Sequence, residues 1–258
     1  MANRLARKVA IVTGAGSSGR GLGNGKAVAI LFAREGARVL CVDFVKERAE
    51  ETVAQINADG ERAGEAVAVA ADVSRAVDCD GMVEEAVRRW GTVDILHNNV
   101  GIVSRMDLFE TTEDEWERVM EVDLKTMFLA TKAAAKVMVS KKKGSIICVS
   151  SIAGLRATRL TAYGTAKAGV IGFVRSVAGQ LGPHGVRVNA IAPGMVWTPM
   201  VEDLGAAARE ERRAASLLGS EGTGWDVGWG AVYLASDESR WVTGQTLVID
   251  AGVTLTTR

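Results

Sequence analysis

Tyr163 and Lys167 stand four residues apart in the run Tyr163-Gly164-Thr165-Ala166-Lys167, and Ser151 lies twelve residues before the tyrosine. Free tyrosine titrates near ~10 and free lysine near ~10.4, so neither alone suits proton transfer at neutral pH. On a helix, positions i and i+4 share a face, and an ammonium beside a phenol favours the phenolate. A serine hydroxyl at a nearby strand end could then hold a substrate oxygen while the phenol gives or takes its proton. A helical Tyr and Lys with no role would share this spacing, so the elements around them decide the reading.

Those elements begin near the N-terminus. Lys8-Val9-Ala10-Ile11-Val12 predicts a buried strand. It runs into Thr13-Gly14-Ala15-Gly16-Ser17-Ser18-Gly19-Arg20-Gly21-Leu22-Gly23-Asn24-Gly25, followed by a helical pattern over 26–34. A glycine-rich turn from strand to helix lets the backbone approach a pyrophosphate, and the helix start offers it free N–H groups. A second strand, Arg38–Val42, ends at Asp43. An acid at that place accepts from both ribose hydroxyls of NAD and repels a 2′-phosphate.

With these two motifs the chain resembles the classical short-chain dehydrogenase/reductase superfamily over essentially its whole length. Further matches are Asn98-Asn99-Val100-Gly101 after a strand, Pro193-Gly194-Met195-Val196-Trp197-Thr198 after the strand Val186–Ile191, and Thr243-Gly244-Gln245-Thr246 before a last strand. The resemblance implies Ser151, Tyr163 and Lys167 as catalytic groups, with Asp123 behind the lysine. It implies a dinucleotide along Gly14, Gly23, Asn24 and Gly25, with Asp43 on the adenosine ribose and Asp72, Val73 and Asn99 around adenine. Val100, Gly101, Pro193 and Gly194 complete the cofactor contacts. Lys167 also meets the nicotinamide ribose beside Tyr163, and Val196 and Thr198 fix the carboxamide.

Three departures from the family pattern carry consequences. The glycine turn holds about five extra residues, which brings Ser17, Ser18 and Arg20 toward the phosphates or adenosine. Where the family has an asparagine that organises a water relay, this chain has Asp123, twenty-eight residues before Ser151. An aspartate cannot donate unless protonated, so Asp123 either anchors a water beside Lys167 or only accepts from local backbone. The serine-to-tyrosine interval is one residue short, which leaves Ser150 as an alternative to Ser151.

Composition places limits on this reading. The 258 residues, 48% hydrophobic, can bury one α/β core, and 31 basic against 31 acidic residues recommend no nucleic-acid or membrane partner. Cys41, Cys79 and Cys148 lack metal-ligand spacing, and with only His97 and His184 no metal is expected. Buried thiols in a reducing cytoplasm are the default, and no signal or membrane-spanning stretch is read. Alternating strands and helices predict a single-domain Rossmann-like fold over 1–258. Its doubly wound parallel sheet has about seven strands, helices on both faces, and ligands at the strands' carboxyl ends. Helices are expected around Ala76–Trp90, Glu113–Val139 and Ala162–Leu181.

A segment near 195–221 reads as a substrate lid by resemblance, or as an ordinary solvated helix by its charges. Met195, Trp197, Met200, Leu155, Leu160 and Val103 fit apolar pocket walls and ordinary core equally. Arg105, Arg156 and Arg159 lie in loops near the expected mouth, with no cluster that marks an acidic substrate. The helices Ala162–Leu181 and Met127–Val139 are apolar enough to pair across a two-fold axis, so a homodimer or homotetramer is expected. The function expected is an NAD-dependent oxidoreductase interconverting a secondary alcohol and a ketone. The alternatives are a 3-oxoacyl-carrier-protein reductase, and, from another class, a nucleotide-sensing protein with weak catalysis.

Overall fold

Short runs of Val, Ile, Leu and Ala become seven strands, and the five central ones are covered on both faces, the condition under which parallel strands read as continuous apolar segments. The computed structural model describes residues 3–19, 21–60 and 64–256; Arg20, expected near the cofactor, lies outside the described residues. The strands are β1 Val9–Thr13, β2 Arg38–Asp43, β3 Ala66–Ala70, β4 Ile95–Asn98, β5 Gly144–Val149, β6 Val186–Pro193 and β7 Thr246–Ile249. They form one sheet in the order β3-β2-β1-β4-β5-β6-β7. Every pairing is parallel.

Side chains leave each strand on alternate faces, so two cores form. Ala10, Val12, Val39, Cys41 and Ile147 pack under the helices α1 (Asn24–Arg34), α2 (Lys46–Ala58) and α8 (Gly224–Ala235). Ile11, Leu40, Leu96, Ile146 and Val188 pack on the opposite face under α3 (Ala76–Trp90), α5 (Thr126–Lys141) and α6 (Thr161–Leu181). Strand order reverses between β1 and β4, which opens a crevice beyond their carboxyl ends. The expected doubly wound single sheet is therefore present.

One expected element differs in detail. The stretch read as a helix from Glu113 to Val139 is α4 (Glu113–Met120), a π-helical turn over Glu121–Lys125, and then α5. The π turn adds a residue to the helix without ending it, and such insertions gather at functional sites. It presents Asp123, fully buried, toward Lys167 on α6. The segment near 195–221 contains a 3₁₀ turn, Pro199–Leu204, and the helix α7 (Gly205–Ala214).

The three cysteines are free and buried, and burial pushes the Cys41 and Cys79 thiols up to about 12 and Cys148 up to about 11. His97, at the core of β4, packs edge-on to Phe32 at 6.1 Å, and neither ring nitrogen has a hydrogen-bond partner among the described residues. Burial drives its pKa down to about 3. The unfolded chain, with histidine near ~6.5, then binds more protons than the native state between that value and the native one. Stability should accordingly fall as pH drops below about 6.5, with the His97 share complete near the native pKa. Denaturant titrations across that range should show a shallower loss for His97→Leu than for the parent; parallel curves would assign the acid limb to carboxylates alone.

Candidate active site

The glycine turn begins where β1 ends. Gly14 has φ +61°, and a methyl group on Gly25 would overlap the Gly14 carbonyl oxygen and the Asn99 side-chain amide, so helix α1 starts directly against the turn. The Asn99 backbone N–H donates to Thr13 Oγ1 at 3.1 Å, and its amide donates to the Gly14 carbonyl at 3.2 Å, which ties the ends of β1 and β4 together. Gly23 is the N-cap of α1 and provides no side-chain acceptor, leaving first-turn N–H groups open toward the cleft. Within the longer loop, Ser17 turns toward the start of α1, where its Oγ accepts from the Gly23 N–H at 2.8 Å. Gly19 and Gly21 lie against Pro199, the first residue of the 3₁₀ turn Pro199–Leu204.

Asp43 closes β2 at the rim of the same crevice. Its carboxylate accepts from the N–H groups of Gly16 at 3.0 Å and Val45 at 3.1 Å. Arg48, on the first turn of α2, packs against Gly16 and lines the crevice beside Asp43. Arg48 stands five residues past the acid and belongs to no motif read from the sequence.

At the other end of the crevice, β5 delivers two serines with different surroundings. Ser150 is buried and its hydroxyl donates to the Lys167 carbonyl at 2.7 Å. Ser151 is partly exposed to the cleft, and its Oγ accepts from the Ala153 N–H at 3.1 Å. Of the two hydroxyls, Ser150's proton is held by the protein and Ser151's is left for a ligand.

Tyr163 and Lys167 lie two and six residues into α6, with the ammonium 5.5 Å from the centre of the phenol ring. Lys167 Nζ is 3.1 Å from Asp123 Oδ2 and donates to the Val149 carbonyl at 3.3 Å. Asp123 Oδ1 accepts from the Ile102 N–H at 2.7 Å, so one carboxylate joins the lysine to the loop after β4. Its other oxygen touches the ammonium as an ion pair rather than as a well-aligned hydrogen bond. Burial works against the Lys167 charge, but Asp123 and then Tyr163 outweigh it, and the lysine pKa stands above its usual value. Gly101 leaves room for the pair: a methyl there would stand 2.9 Å from Nζ. Asp123 thus accepts from local backbone, as one of the two readings expects, and it contacts the lysine directly.

The crevice has a volume of about 600 Å3 and gathers most of the expected residues along one wall or the other. Gly14, Ser17, Ser18, Gly23, Asn24, Gly25, Asp43, Asn99, Val100, Gly101, Ser151, Tyr163, Lys167, Pro193, Gly194, Val196 and Thr198 all line it. Asp72 and Val73 do not: Asp72 accepts from the Ser74 N–H and hydroxyl, and Val73 is buried in the core. Met195, Met200, Leu160 and Val103 form apolar wall, whereas Trp197 lies under the Arg209 guanidinium and Leu155 faces a separate hollow. Arg105 and Arg159 are engaged with Asp203 at 2.7 Å and Asp107 at 3.2 Å. Arg156 lines the cleft, as does Arg212 from α7, a residue that the sequence reading did not single out. A second cavity of about 450 Å3, at the opposite end of the sheet between Lys8, Lys143, Arg187 and Trp241, contains none of these groups.

The donor set suits a dinucleotide: open helix N–H groups beside glycines at the phosphate position, an acid at the end of β2, and an acid–base pair at the far end. The sequence profile of the enoyl-(acyl carrier protein) reductase family matches residues 19–254. The chain is 38% identical to the 3-oxoacyl-[acyl-carrier-protein] reductase of Thermotoga maritima, over 98% of this chain and 100% of that protein. It is 36% identical to borneol dehydrogenase of Lavandula x intermedia, over 98% of this chain and 92% of the relative. A putative short-chain dehydrogenase/reductase from Burkholderia xenovorans superposes with a TM-score of 0.93 at 37% identity, covering 99% of both chains. Fold, family profile and relatives agree: this chain belongs to the short-chain dehydrogenase/reductase superfamily of oxidoreductases.

Proposed function

We propose that the protein is an NAD-dependent oxidoreductase that interconverts a secondary alcohol and a ketone, with Tyr163 as the proton-transferring group. The observation that carries this reading is the pairing of Tyr163 with a buried, charged Lys167 in the crevice that also holds the glycine turn and Asp43. Ser151 Oγ binds the substrate oxygen, and the Tyr163 hydroxyl gives it a proton in reduction or takes one in oxidation. Lys167 favours the ionised phenol and holds the nicotinamide ribose, while Asp123 keeps the lysine charged in its buried position. The dinucleotide, when bound, supplies the hydride acceptor or donor, and the chain's contribution is orientation and charge. Val196 and Thr198 orient the carboxamide, and Asn99, Val100 and Gly101 flank the cofactor beyond β4.

A second reading, a 3-oxoacyl-carrier-protein reductase using NADPH, is favoured by the names of several relatives. Arg48 beside Asp43 is a cation of the kind that would receive a 2′-phosphate. Asp43 argues the other way, because its carboxylate faces the same position. A homo-oligomer fits the outward row of α6, where Thr165, Ala168, Gly172 and Gly179 are small and exposed and would let a second helix approach closely. Among the described residues, no helix is long and apolar enough to cross a membrane.

Steady-state rates with NAD and NADP over a panel of secondary alcohols and ketones test the proposal. The parent should show the higher kcat/KM with NAD, and Asp43→Ala should narrow the gap by lifting repulsion from the phosphate. A parent that prefers NADP assigns Arg48 the phosphate and sinks the NAD reading. Turnover with no member of the panel, despite tight dinucleotide binding, favours a sensing protein.

A further inference from the structure

The cations around the reaction end of the cleft are unevenly matched. On and beside the lid helix, Arg209 is paired with Glu221 and Arg213 with Glu210, each at 2.5 Å, and Arg105 with Asp203 at 2.7 Å. Arg212, on the same helix, turns into the cleft and meets no carboxylate within ion-pair distance among the described residues. Its one side-chain hydrogen bond among the described residues is a donation from Nη2 to the Val196 carbonyl at 3.2 Å, and its Nε–H is buried without an acceptor. Arg156 enters the lining from the loop before α6 and donates only to the Val253 carbonyl, at 3.2 Å. The single carboxylate of the lining is Asp43, at the adenosine end.

A partly buried guanidinium with a free N–H is destabilising unless an anion completes it, and arginine's planar fork matches a carboxylate. Glu221, Glu210 and Asp203 are already engaged with other arginines, and neither Glu202 nor Glu211 comes within ion-pair distance of Arg212. Resting on the oxidoreductase reading above, we infer that the substrate is an acid, a hydroxy or keto carboxylic acid whose carboxylate pairs with Arg212 while its oxygen faces Ser151 and Tyr163. Arg156 adds positive potential on the same side, and the apolar wall of Leu160, Met195 and Met200 covers the carbon chain between the two ends. Because α7 carries Arg212, the acid's charge also draws the lid onto the substrate. Burial, and then the charge of Arg105, hold the Arg212 pKa below its usual value, consistent with a cation that lacks a partner.

Acetoacetate, levulinate and 5-oxohexanoate, each set against its methyl ester, test the inference. Calorimetric binding is measured on the full-length protein saturated with reduced dinucleotide, for the parent, Arg212→Gln and Arg212→Lys. At least one acid should bind roughly 10–100-fold more tightly than its ester, the strength of a charge-assisted hydrogen bond in a desolvated site. Arg212→Gln should erase that preference and Arg212→Lys should keep part of it. The inference is overturned if no acid outperforms its ester, if the preference survives Arg212→Gln, or if the variant loses only dinucleotide affinity, since Arg212 would then serve the cofactor. An Arg212-dependent preference without any change in reduced-cofactor absorbance sinks the oxidoreductase reading and leaves this inference standing. Equal turnover of acids and esters does the reverse.

Discussion

Tyr163→Phe is expected to lower kcat by roughly 10²–10⁴-fold in both directions, the range that general acid–base catalysis supplies. The substitution removes one hydroxyl and keeps the ring against which the Lys167 ammonium stands at 5.5 Å. Dinucleotide affinity, followed by fluorescence of the reduced cofactor, should therefore stay near the parent value, because the glycine turn, Asp43 and Lys167 are untouched. A folded variant with near-normal turnover would take Tyr163 out of the mechanism and leave Ser151 or a water to move the proton.

The second large effect is expected at the pair behind it. Lys167→Met leaves the Asp123 carboxylate fully buried with the Ile102 N–H as its remaining partner. Breaking a buried ion pair by removing one member typically costs about 3–5 kcal/mol, more than removing both. Lys167→Met should thus be markedly less stable to urea than the parent, and adding Asp123→Asn should recover much of the loss, since an amide oxygen still accepts from Ile102. Strictly additive effects in that cycle would show that the two groups are not coupled. The Asp123→Asn single variant should remain active, with its oxidation pH–rate profile displaced to lower pH, because the carboxylate no longer offsets the ammonium's field at the phenol. Superimposable profiles would leave Asp123 a purely positioning role in the Ile102 loop.

Much of this architecture was legible because its signals are local. Strands buried on both faces are continuous apolar runs, and the expected strands Lys8–Val12, Arg38–Val42 and Val186–Ile191 agree with the observed ones to within two residues. Glycines at the first turn and the Asp43 carboxylate follow from the same β-α-β unit. What escaped depends on tertiary direction. Ser150 and Ser151 are adjacent and chemically alike; the sequence favours Ser151, but the Lys167 carbonyl that holds the Ser150 hydroxyl appears only in the fold. Asp72 carries the expected residue type, yet Ser74 occupies its carboxylate. Arg212 is one of three arginines that stand with three glutamates between 209 and 221, and composition could not say which one faces inward. The Arg48 side chain escaped for a similar reason, since its approach to Gly16 is set by how α2 returns along the sheet.

The π turn over Glu121–Lys125 makes this helix unusually sensitive to length rather than to composition. Removing any one of its residues would let the backbone relax to an ordinary α ladder, a locally more regular structure. Because a π turn spends one residue more than an α turn on nearly the same rotation, the same excision would leave the two halves of the helix in nearly the same phase. Val119 packs against Ala162 and Ala166 on one side of the turn, and Met127 and Ala130 pack into the sheet on the other, so both anchors would be kept. Asp123 lies between them, in the turn whose side-chain directions would change. A one-residue deletion here would gain helical regularity and lose the Asp123–Lys167 contact, so the extra residue serves the aim of Asp123 and not the packing of the core.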